Sequence, residues 1–344
     1  MQVDICVGLW YNILSNYGER FGAMASDAKE LYQKIEAEVS KIVVGKADKL
    51  RLVAAALFAD GHILLDDLPG VGKTTLAKTL SRALGCEAKR VQFTPDLLPS
   101  DVTGMNVYDR ASGAFRRLQG PVMTNLLLAD ELNRAIPRTQ SALLEAMEER
   151  QVTLDGETEP LPKPFFVLAT QNPVESESTF RLPAAQLDRF MMCLTRGYPA
   201  PEEERTMLRQ VGSRVDLMQV QAVTSPEEIC AVQKDIEQGV SVSDEMLAYI
   251  VSLTTATRSC DELRLGASPR ASRALFRAAK ALAAIGGRDY ITPDDVKTLA
   301  VPVLAHRVVL SSRAVQTGRT AAAVVTELCE ALAVPPKTAE VFHA

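Results

Sequence analysis

The chain has 344 residues, of which 47% are hydrophobic and 24% charged, with a formal net charge of −5 and a sequence pI of about 5.5. This ordinary globular composition supplies a core of normal size, and the length leaves room for two or three domains. The acidic balance argues against a broad basic surface for nucleic acid, although it does not exclude a local basic patch.

Cysteine spacing and hydropathy indicate a cytoplasmic protein with reduced thiols. The six cysteines form no CxxC motif, and a chain this long does not need a disulfide framework. The longest strongly apolar run, residues 52–59, is far shorter than the roughly 20 residues that cross a bilayer. The segment from Met1 to Asp4 lacks the positive charges of a signal peptide. We therefore expect no direct membrane insertion and no nucleic acid partner.

Residues 1–23 do not share the pattern of the rest of the chain. They contain aromatic residues such as Trp10 without a clear period, whereas Met24 stands just before a helical opening at residues 26–30. We interpret residues 1–23 as an N-terminal extension that is disordered or that precedes a natural start at Met24. A short docking segment is the alternative.

A regular alternation of helices and strands begins near residue 50. Apolar residues from 50 to 58 fall on one helical face, and a second helix is predicted over residues 74–84. The predicted buried strands are residues 62–66, 90–94, 126–130 and 165–170. This alternation indicates an α/β domain of residues 24–198 in which helices cover both faces of a parallel sheet.

Two segments interrupt this alternation with the character of β-hairpins, residues 106–117 and residues 151–158. After a proline-containing linker at residues 199–201, we expect the strands to stop and a helical domain to occupy residues 199–344. Three of its helices are predicted to begin where a Ser or Thr cap is followed by proline. The three caps are Ser225, Ser268 and Thr292.

The turn between the first predicted strand and the helix over residues 74–84 has the pattern of a phosphate-binding loop. Its glycines let backbone N–H groups cradle phosphate oxygens, and the helix N-terminus adds positive potential. Lys73 would reach the β- and γ-phosphates, and the Thr74 hydroxyl would ligate Mg²⁺. Asp67 stands where the general pattern has glycine, and a plain glycine turn is the alternative. The predicted nucleotide-binding residues are Pro69, Gly70, Val71, Gly72, Lys73, Thr74 and Thr75.

Three polar residues come after buried strands and are candidates for hydrolytic chemistry. Asp130 and Glu131 come directly after an apolar run, and Asp130 lies 57 residues after Lys73. Asp130 is placed to hold Mg²⁺ through water, and Glu131 to polarise the attacking water as a general base. An apolar run before Asp-Glu is common and by itself is weak evidence for a catalytic role. The phosphate-loop pattern upstream is what favours a catalytic role for these two acids. Asn172 would orient the lytic water, unless it only begins a turn.

Two arginines are candidates for contact with the γ-phosphate. Arg189 would act as a finger that crosses to a neighbouring subunit, and an ion pair with Asp188 is the structural alternative. Arg270 stands in the first turn of a predicted helix, where the helix dipole disfavours a cation. Another anion must therefore compensate for its charge, and we expect a bound phosphate to do so.

These elements in this order resemble the AAA+ ATPases, and longer strings resemble the MoxR family among them. The resemblance covers about residues 30–310. The strings that carry it are residues 66–74, 92–104, 128–135, 139–152, 169–173, 182–190 and 266–271.

The resemblance implies a P-loop AAA+ core with a parallel sheet covered by helices on both faces, β-hairpin inserts and a C-terminal all-α lid domain. Position by position, it assigns Gly70, Gly72, Lys73 and Thr74 to Walker A and tolerates Asp67 there. It assigns Asp130 and Glu131 to Walker B, Asn172 to sensor 1, Arg189 to the arginine finger and Arg270 to sensor 2.

The resemblance also implies ATP and Mg²⁺ as cofactors and assembly into a homo-oligomeric ring, typically a hexamer. In such a ring, the arginine finger completes the site of the next subunit. Members of the family act as chaperone-like remodelers or maturation factors for protein partners, often ones that carry a von Willebrand factor A domain.

Three alternatives stay open. A nucleotide-dependent binding switch with little turnover is disfavoured because Glu131 and Arg189 are both present. A DNA-acting motor is disfavoured by the acidic pI and by the absence of a recognisable DNA-binding module. A magnesium-chelatase-like motor subunit is close to the favoured interpretation and harder to separate from it.

Overall fold

The computed structural model of the chain describes residues 27–45, 47–66, 72–172, 179–195, 197–198, 200–212 and 217–335. The predicted extension, residues 1–23, lies outside these ranges. Within them, no helix combines the length and the apolar character that a membrane span requires.

Strands and helices alternate in the first half of the chain, and helices dominate the second. In chain order, the strands are β1 (Ile63–Asp66), β2 (Ala88–Gln92), β3 (Gly104–Asp109), β4 (Ala114–Gln119), β5 (Leu126–Asp130), β6 (Gln151–Leu154), β7 (Glu157–Pro160), β8 (Phe166–Gln171), β9 (Met192–Leu194), β10 (Leu263–Leu265) and β11 (Val309–Leu310).

The α-helices are α1 (27–39), α2 (Ala47–Phe58), α3 (Lys73–Ala83), α4 (Pro99–Thr103), α5 (Pro137–Glu149), α6 (Ala184–Leu187), α7 (Pro201–Gly212), α8 (Pro226–Gly239), α9 (Asp244–Arg258), α10 (Pro269–Ile285), α11 (Pro293–Leu304), α12 (Ser312–Gln316) and α13 (Ala321–Ala331).

The main sheet is parallel and has five strands in the order β2-β5-β8-β1-β9. The four predicted strands are confirmed as β1, β2, β5 and β8, although β2 begins two residues earlier than expected. The fifth, β9, was not predicted, because three residues are too few for a recognisable pattern. It becomes a strand by pairing with β1, with Met192 opposite Ile63.

Both faces of this sheet are covered, as the apolar strands predict. Side chains alternate between two cores: Ile63 and Leu65 of β1 join one core, and Leu64 joins the other. The first core continues into α1, α2 and the helices beyond residue 225. The second is formed with α5, through buried residues such as Leu143 and Leu144. Hydrophobic burial therefore joins the helical region (the described residues from 200 onward) to one face of the sheet.

The predicted helix starts in the helical region are confirmed. Ser225 caps α8 by accepting a hydrogen bond from the backbone N–H of Glu228. Thr292 and Asp295 form a capping box at the start of α11. Ser268 precedes α10, with proline at the first helical position.

Both predicted hairpins are also confirmed, as the antiparallel pairs β3–β4 and β6–β7. The expectation that strands stop near residue 199 is wrong in one place. Within the helical region, β10 and β11 form a short antiparallel pair, with Leu263 opposite Leu310. The partners lie far apart in the chain, so neither strand has a local turn signal.

His62, just before β1, is a buried neutral imidazole that makes stability depend on pH. Its Nδ1 accepts a hydrogen bond of 3.1 Å from the Val167 backbone N–H, so its Nε2 donates to the Met147 carbonyl at 3.2 Å. Burial, with a smaller contribution from the charge of Arg150, holds the pKa of His62 well below its usual value. A proton on Nδ1 would face another donor, so the folded state resists protonation.

We expect this histidine to destabilise the protein below about pH 6.5, where an unfolded histidine gains a proton and the folded one does not. As the pH falls from 6.5 to 5, the wild type should lose free energy of unfolding faster than His62→Gln, with a difference in slope that approaches about 1.4 kcal/mol per pH unit. Denaturant titrations at several pH values measure both slopes. Equal slopes would show that His62 does not carry this dependence.

Candidate nucleotide-binding site

The described part of the phosphate loop begins at Gly72, which directly precedes α3. Its backbone is left-handed, with φ of 81° and ψ of 24°, a conformation that favours glycine. Lys73 and Thr74, in the first turn of α3, are partly buried, and Thr75 is exposed. Residues 67–71 lie outside the described residues, and with them the predictions for Pro69, Gly70 and Val71. The described portion presents a helix N-terminus, which favours an anion.

Asp130, the last residue of β5, is held by partners from both neighbouring strands. Its Oδ1 accepts a hydrogen bond of 2.7 Å from the hydroxyl of Thr170 in β8. Its Oδ2 pairs with the guanidinium of Arg90 in β2 at 2.7 Å. These two contacts orient the carboxylate at the carboxyl end of the sheet.

Glu131 adopts a left-handed backbone with φ of 57°, which is uncommon for a residue with a side chain. Its N–H donates to the Thr170 hydroxyl at 2.9 Å, and its carboxylate pairs with Arg134 at 2.8 Å. Backbone strain of this kind gathers at functional sites and persists where surrounding contacts impose it. Thr170, only 1% exposed, supplies that contact here, since it binds Asp130 as well.

Asn172 comes directly after β8 and is buried. Asn133 grips its backbone from both sides: the Asn133 amide donates to the Asn172 carbonyl at 3.2 Å, and its carbonyl oxygen accepts from the Asn172 N–H at 3.4 Å. This clamp holds the end of β8 beside the segment that carries Glu131.

Parallel pairing brings these residues to one edge of the sheet. Asp66 at the end of β1 lies opposite Gln171, and Ala129, one residue before Asp130, lies opposite Ala169. The carboxyl ends of β1, β5 and β8 are therefore adjacent. The start of α3 comes after β1 at the same edge, which is where ligands bind in open α/β sheets.

Sequence reasoning missed three residues that support this edge, namely Arg90, Asn133 and Thr170. Each lies within or close to one of the strings that resemble the MoxR family, but the residue type alone does not identify any of the three as part of a site. Their roles come from contacts between strands that are about 40 positions apart, such as Thr170 with Asp130. A polar residue at the end of an otherwise buried strand is the signal that could have identified Thr170.

An apolar cleft lies beside α3. Val43 and Gly45 line it from the segment between α1 and α2, Leu76 from α3 and Leu194 from the end of β9. Its volume is about 20 Å³, close to what one water molecule needs. No residue of this cleft was predicted from the sequence.

Arg189 and Arg270 lie together, but away from this edge. Arg189 Nε contacts Glu148 Oε2 at 2.9 Å, and Arg270 Nη2 contacts Oε1 of the same carboxylate. The anion that compensates Arg270 in this structure is therefore Glu148, where we had expected a phosphate.

The alternative pairing of Arg189 with Asp188 is not what the structure contains. Asp188 instead binds Arg307, with 2.7 Å between Asp188 Oδ1 and Arg307 Nε. Arg307 also donates to the carbonyls of Phe190 at 2.7 Å and Met191 at 3.0 Å. Burial lowers the pKa of Arg307, an effect that Asp188 opposes. This buried arginine ties the loop that carries Arg189 to the helical region.

The two groups of predicted residues occupy opposite edges of the sheet. Arg189 precedes β9, which runs parallel to β1, and the adjacent Met191 N–H donates to the carbonyl of His62 just before β1. Asp130 ends β5 at the opposite edge, and Lys73 begins the helix that comes after β1 there. A strand of four residues spans about 13 Å. Within one chain, Arg189 and Arg270 are therefore separated from Lys73 and Asp130 by the depth of the sheet.

Two protein-family models match the chain. The ATPase family associated with various cellular activities (AAA) matches residues 62–192, and the AAA lid domain matches residues 255–328. Together with the sheet order and the residues at its carboxyl edge, these matches define the class as an AAA+ protein with a P-loop α/β core and a C-terminal helical lid.

Similar proteins narrow this class. The chain is 46% identical to the uncharacterized protein YeaC of Bacillus subtilis, over 91% of this chain and 98% of that one. It is 40% identical to Chaperone MoxR1 of Mycobacterium tuberculosis, over 87% and 81%. A crystal structure from Cytophaga hutchinsonii, provisionally described as an ATPase, matches with a TM-score of 0.85 and 37% identity, over 91% and 97%. The chain belongs to the MoxR family of AAA+ ATPases.

Proposed function

We propose that this protein binds ATP with Mg²⁺, hydrolyses it at the interfaces of a homo-oligomeric ring, and uses the resulting motion to remodel or mature a protein partner. The observation that carries the proposal is the placement of Asp130, Glu131 and Asn172 at the same sheet edge as the start of α3. In this proposal, residues 24–198 form the nucleotide-binding domain and residues 199–344 the lid.

The residues at this edge fit a magnesium–triphosphate. The Thr74 hydroxyl and the Asp130 carboxylate are oxygen donors, which Mg²⁺ prefers. Lys73 binds the β- and γ-phosphates, and the backbone of residues 69–75 cradles them. The bound metal neutralises charge that develops on the phosphates.

Glu131 and Asn172 act on the attacking water. Glu131 accepts its proton as the general base, after its carboxylate turns from Arg134 toward the phosphate. Asn172 orients the same water, and the Asn133 clamp holds its backbone in place. Hydrolysis needs little covalent work from the protein, so positioning and charge supply most of the catalysis.

Arg189 and Arg270 complete the site of a neighbouring subunit. Their place at the opposite edge of the sheet supports this assignment, because a head-to-tail ring brings one edge of each subunit to the other edge of the next. A guanidinium there stabilises charge on the γ-phosphate in the transition state. We propose a hexamer as the closed form of this ring.

The partner is proposed to be a protein that carries a von Willebrand factor A domain, and the site of action to be the cytoplasm. The name of the similar protein Chaperone MoxR1 supports a chaperone-like role for the protein described here. Lid motion, coupled to the finger loop through Asp188 and Arg307, transmits the nucleotide state to the partner.

Mixed rings test the shared site. Arg189→Ala and Glu131→Gln rings should each lack turnover, because one lacks the finger and the other the base. In a random equal mixture, about a quarter of the interfaces combine an intact base with an intact finger, so turnover should return to about a quarter of wild type. Steady-state phosphate release from rings of verified composition measures this.

A mixture that stays inactive would show that Arg189 acts within its own subunit or only in folding. Turnover that is absent from assembled wild-type rings, with and without a partner, would instead favour a binding switch.

A further inference from the structure

Glu148, which no sequence motif assigned, joins the two arginines that the proposed function places at the subunit interface. It lies in the last turn of α5, whereas Arg189 precedes β9 and Arg270 begins α10. One carboxylate oxygen serves each arginine: Oε2 lies 2.9 Å from Arg189 Nε, and Oε1 contacts Arg270 Nη2. Three separate elements therefore meet at one carboxylate.

The charges at this junction explain why a carboxylate is needed. Two guanidiniums side by side repel each other, and Arg270 also meets the unfavourable dipole of α10. Glu148 offsets one of the two positive charges and leaves the pair with a net charge of about +1. That balance holds the arginines together while keeping the junction attractive to an anion.

Glu148 leaves both arginines able to bind something else. A guanidinium carries five N–H donors, and the contacts with Glu148 involve Nε of Arg189 and Nη2 of Arg270. The side chains of Arg189, Arg270 and Glu148 are 29%, 39% and 34% exposed, so the junction is open to solvent. An incoming phosphate can therefore contact both guanidiniums without displacing the carboxylate.

The end of α5 that carries Glu148 is packed against the α/β core. Leu144 and Met147, on the preceding turn of α5, are buried in the core beneath the sheet. The Met147 carbonyl accepts the hydrogen bond from His62 at the start of β1. The position of Glu148 is thus set by the α/β core, to which it attaches one arginine from the lid.

We propose that Glu148 is a positioning residue for hydrolysis in the adjacent subunit: it holds Arg189 and Arg270 as one two-guanidinium clamp for the neighbour's γ-phosphate. This inference rests on the proposed shared site and extends it. Glu148 touches no substrate, and its effect passes through the arginines that it orients.

Kinetics of assembled rings provide the first test. Glu148→Ala should lower kcat by about 10–10²-fold, because misplaced groups lose this much, with little change in KM for ATP. Glu149→Ala, at the exposed next position of α5, removes the same charge and should keep wild-type turnover. Glu148→Gln preserves side-chain size and should show the same loss, because it removes the negative charge and turns an NH₂ donor toward one of the two arginines. Wild-type kcat in either Glu148 variant would overturn the proposal.

Mixed rings then identify the subunit in which Glu148 acts. Glu148→Ala mixed with Glu131→Gln should regain turnover, because the second subunit supplies an intact clamp to the first. Glu148→Ala mixed with Arg189→Ala should regain none, because every interface lacks a working clamp. The opposite pattern would place Glu148 in its own subunit's site and overturn the proposal.

The mixture of Arg189→Ala with Glu131→Gln distinguishes failure of the proposed shared site from failure of the proposed role of Glu148. If that mixture is active but Glu148→Ala with Glu131→Gln is not, the shared site stands and the role of Glu148 is wrong. If neither mixture is active, the shared site itself is wrong, and the inference falls with it.

Discussion

Replacing Glu131 by Gln is expected to lower ATP turnover by about 10²–10⁴-fold, the usual contribution of a general base. The amide keeps the size of the side chain but cannot accept the proton of the attacking water. Asp130 and its contacts with Thr170 and Arg90 are untouched, so Mg²⁺ and nucleotide should still bind. Single-turnover hydrolysis and nucleotide titration, both on assembled rings, measure the two effects.

A matched control separates loss of the base from loss of charge. Glu145→Gln, at an exposed position of α5, makes the same chemical change away from the sheet edge and should leave turnover unchanged. Thermal unfolding of the Glu131 variant reports whether loss of the ion pair with Arg134 matters for folding. Near-normal turnover in a folded Glu131→Gln ring would remove Glu131 from the mechanism.

Replacing Lys73 by Ala is expected to weaken ATP binding by about 10²–10⁴-fold. Charge-assisted hydrogen bonds to two phosphates contribute about 1.5–3 kcal/mol each, and each 1.4 kcal/mol is about tenfold in Kd. Alanine is a strong helix former, so the first turn of α3 should persist. Equilibrium titration with a fluorescent ATP analogue provides the measurement.

Lys78→Ala is the control for this experiment. Lys78 lies on an exposed face of the same helix, so its removal changes the charge of α3 equally without affecting the loop. Its Kd should stay within about twofold of wild type, because exposed charges are screened by salt. Unchanged affinity in Lys73→Ala would contradict the phosphate cradle.

Long apolar strands and local caps were the features that the sequence predicted best. The prediction for β5 matches the observed strand, Leu126–Asp130, at both ends. Its residues are apolar on both faces, which is typical of a central parallel strand. The helix caps at Ser225 and Thr292 depend on contacts within four residues, so they too can be predicted from the local sequence.

Short strands could not be predicted in the same way. Neither β9 nor the β10–β11 pair has enough residues to show a period, and their hydrogen bonds reach distant segments. Propensity is a weak guide where pairing with a remote strand decides the conformation. Thr170 and Asn133 could not be recognised for the same reason, because their roles depend on contacts with distant segments, Asp130 for Thr170 and Asn172 for Asn133.

The amino-acid order alone determined the class of fold and the predicted residues of the nucleotide site. Glycines, lysine and threonine before a helix, and acids after a buried strand, express their chemistry through local backbone geometry. The tertiary structure alone decided how Arg189 and Arg270 are arranged. Arg270 and Glu148 are 122 positions apart, and only the packing of α10 against the core brings them together. Long-range packing, which no local pattern encodes, therefore placed both arginines on one carboxylate, at the sheet edge opposite Lys73 and Asp130.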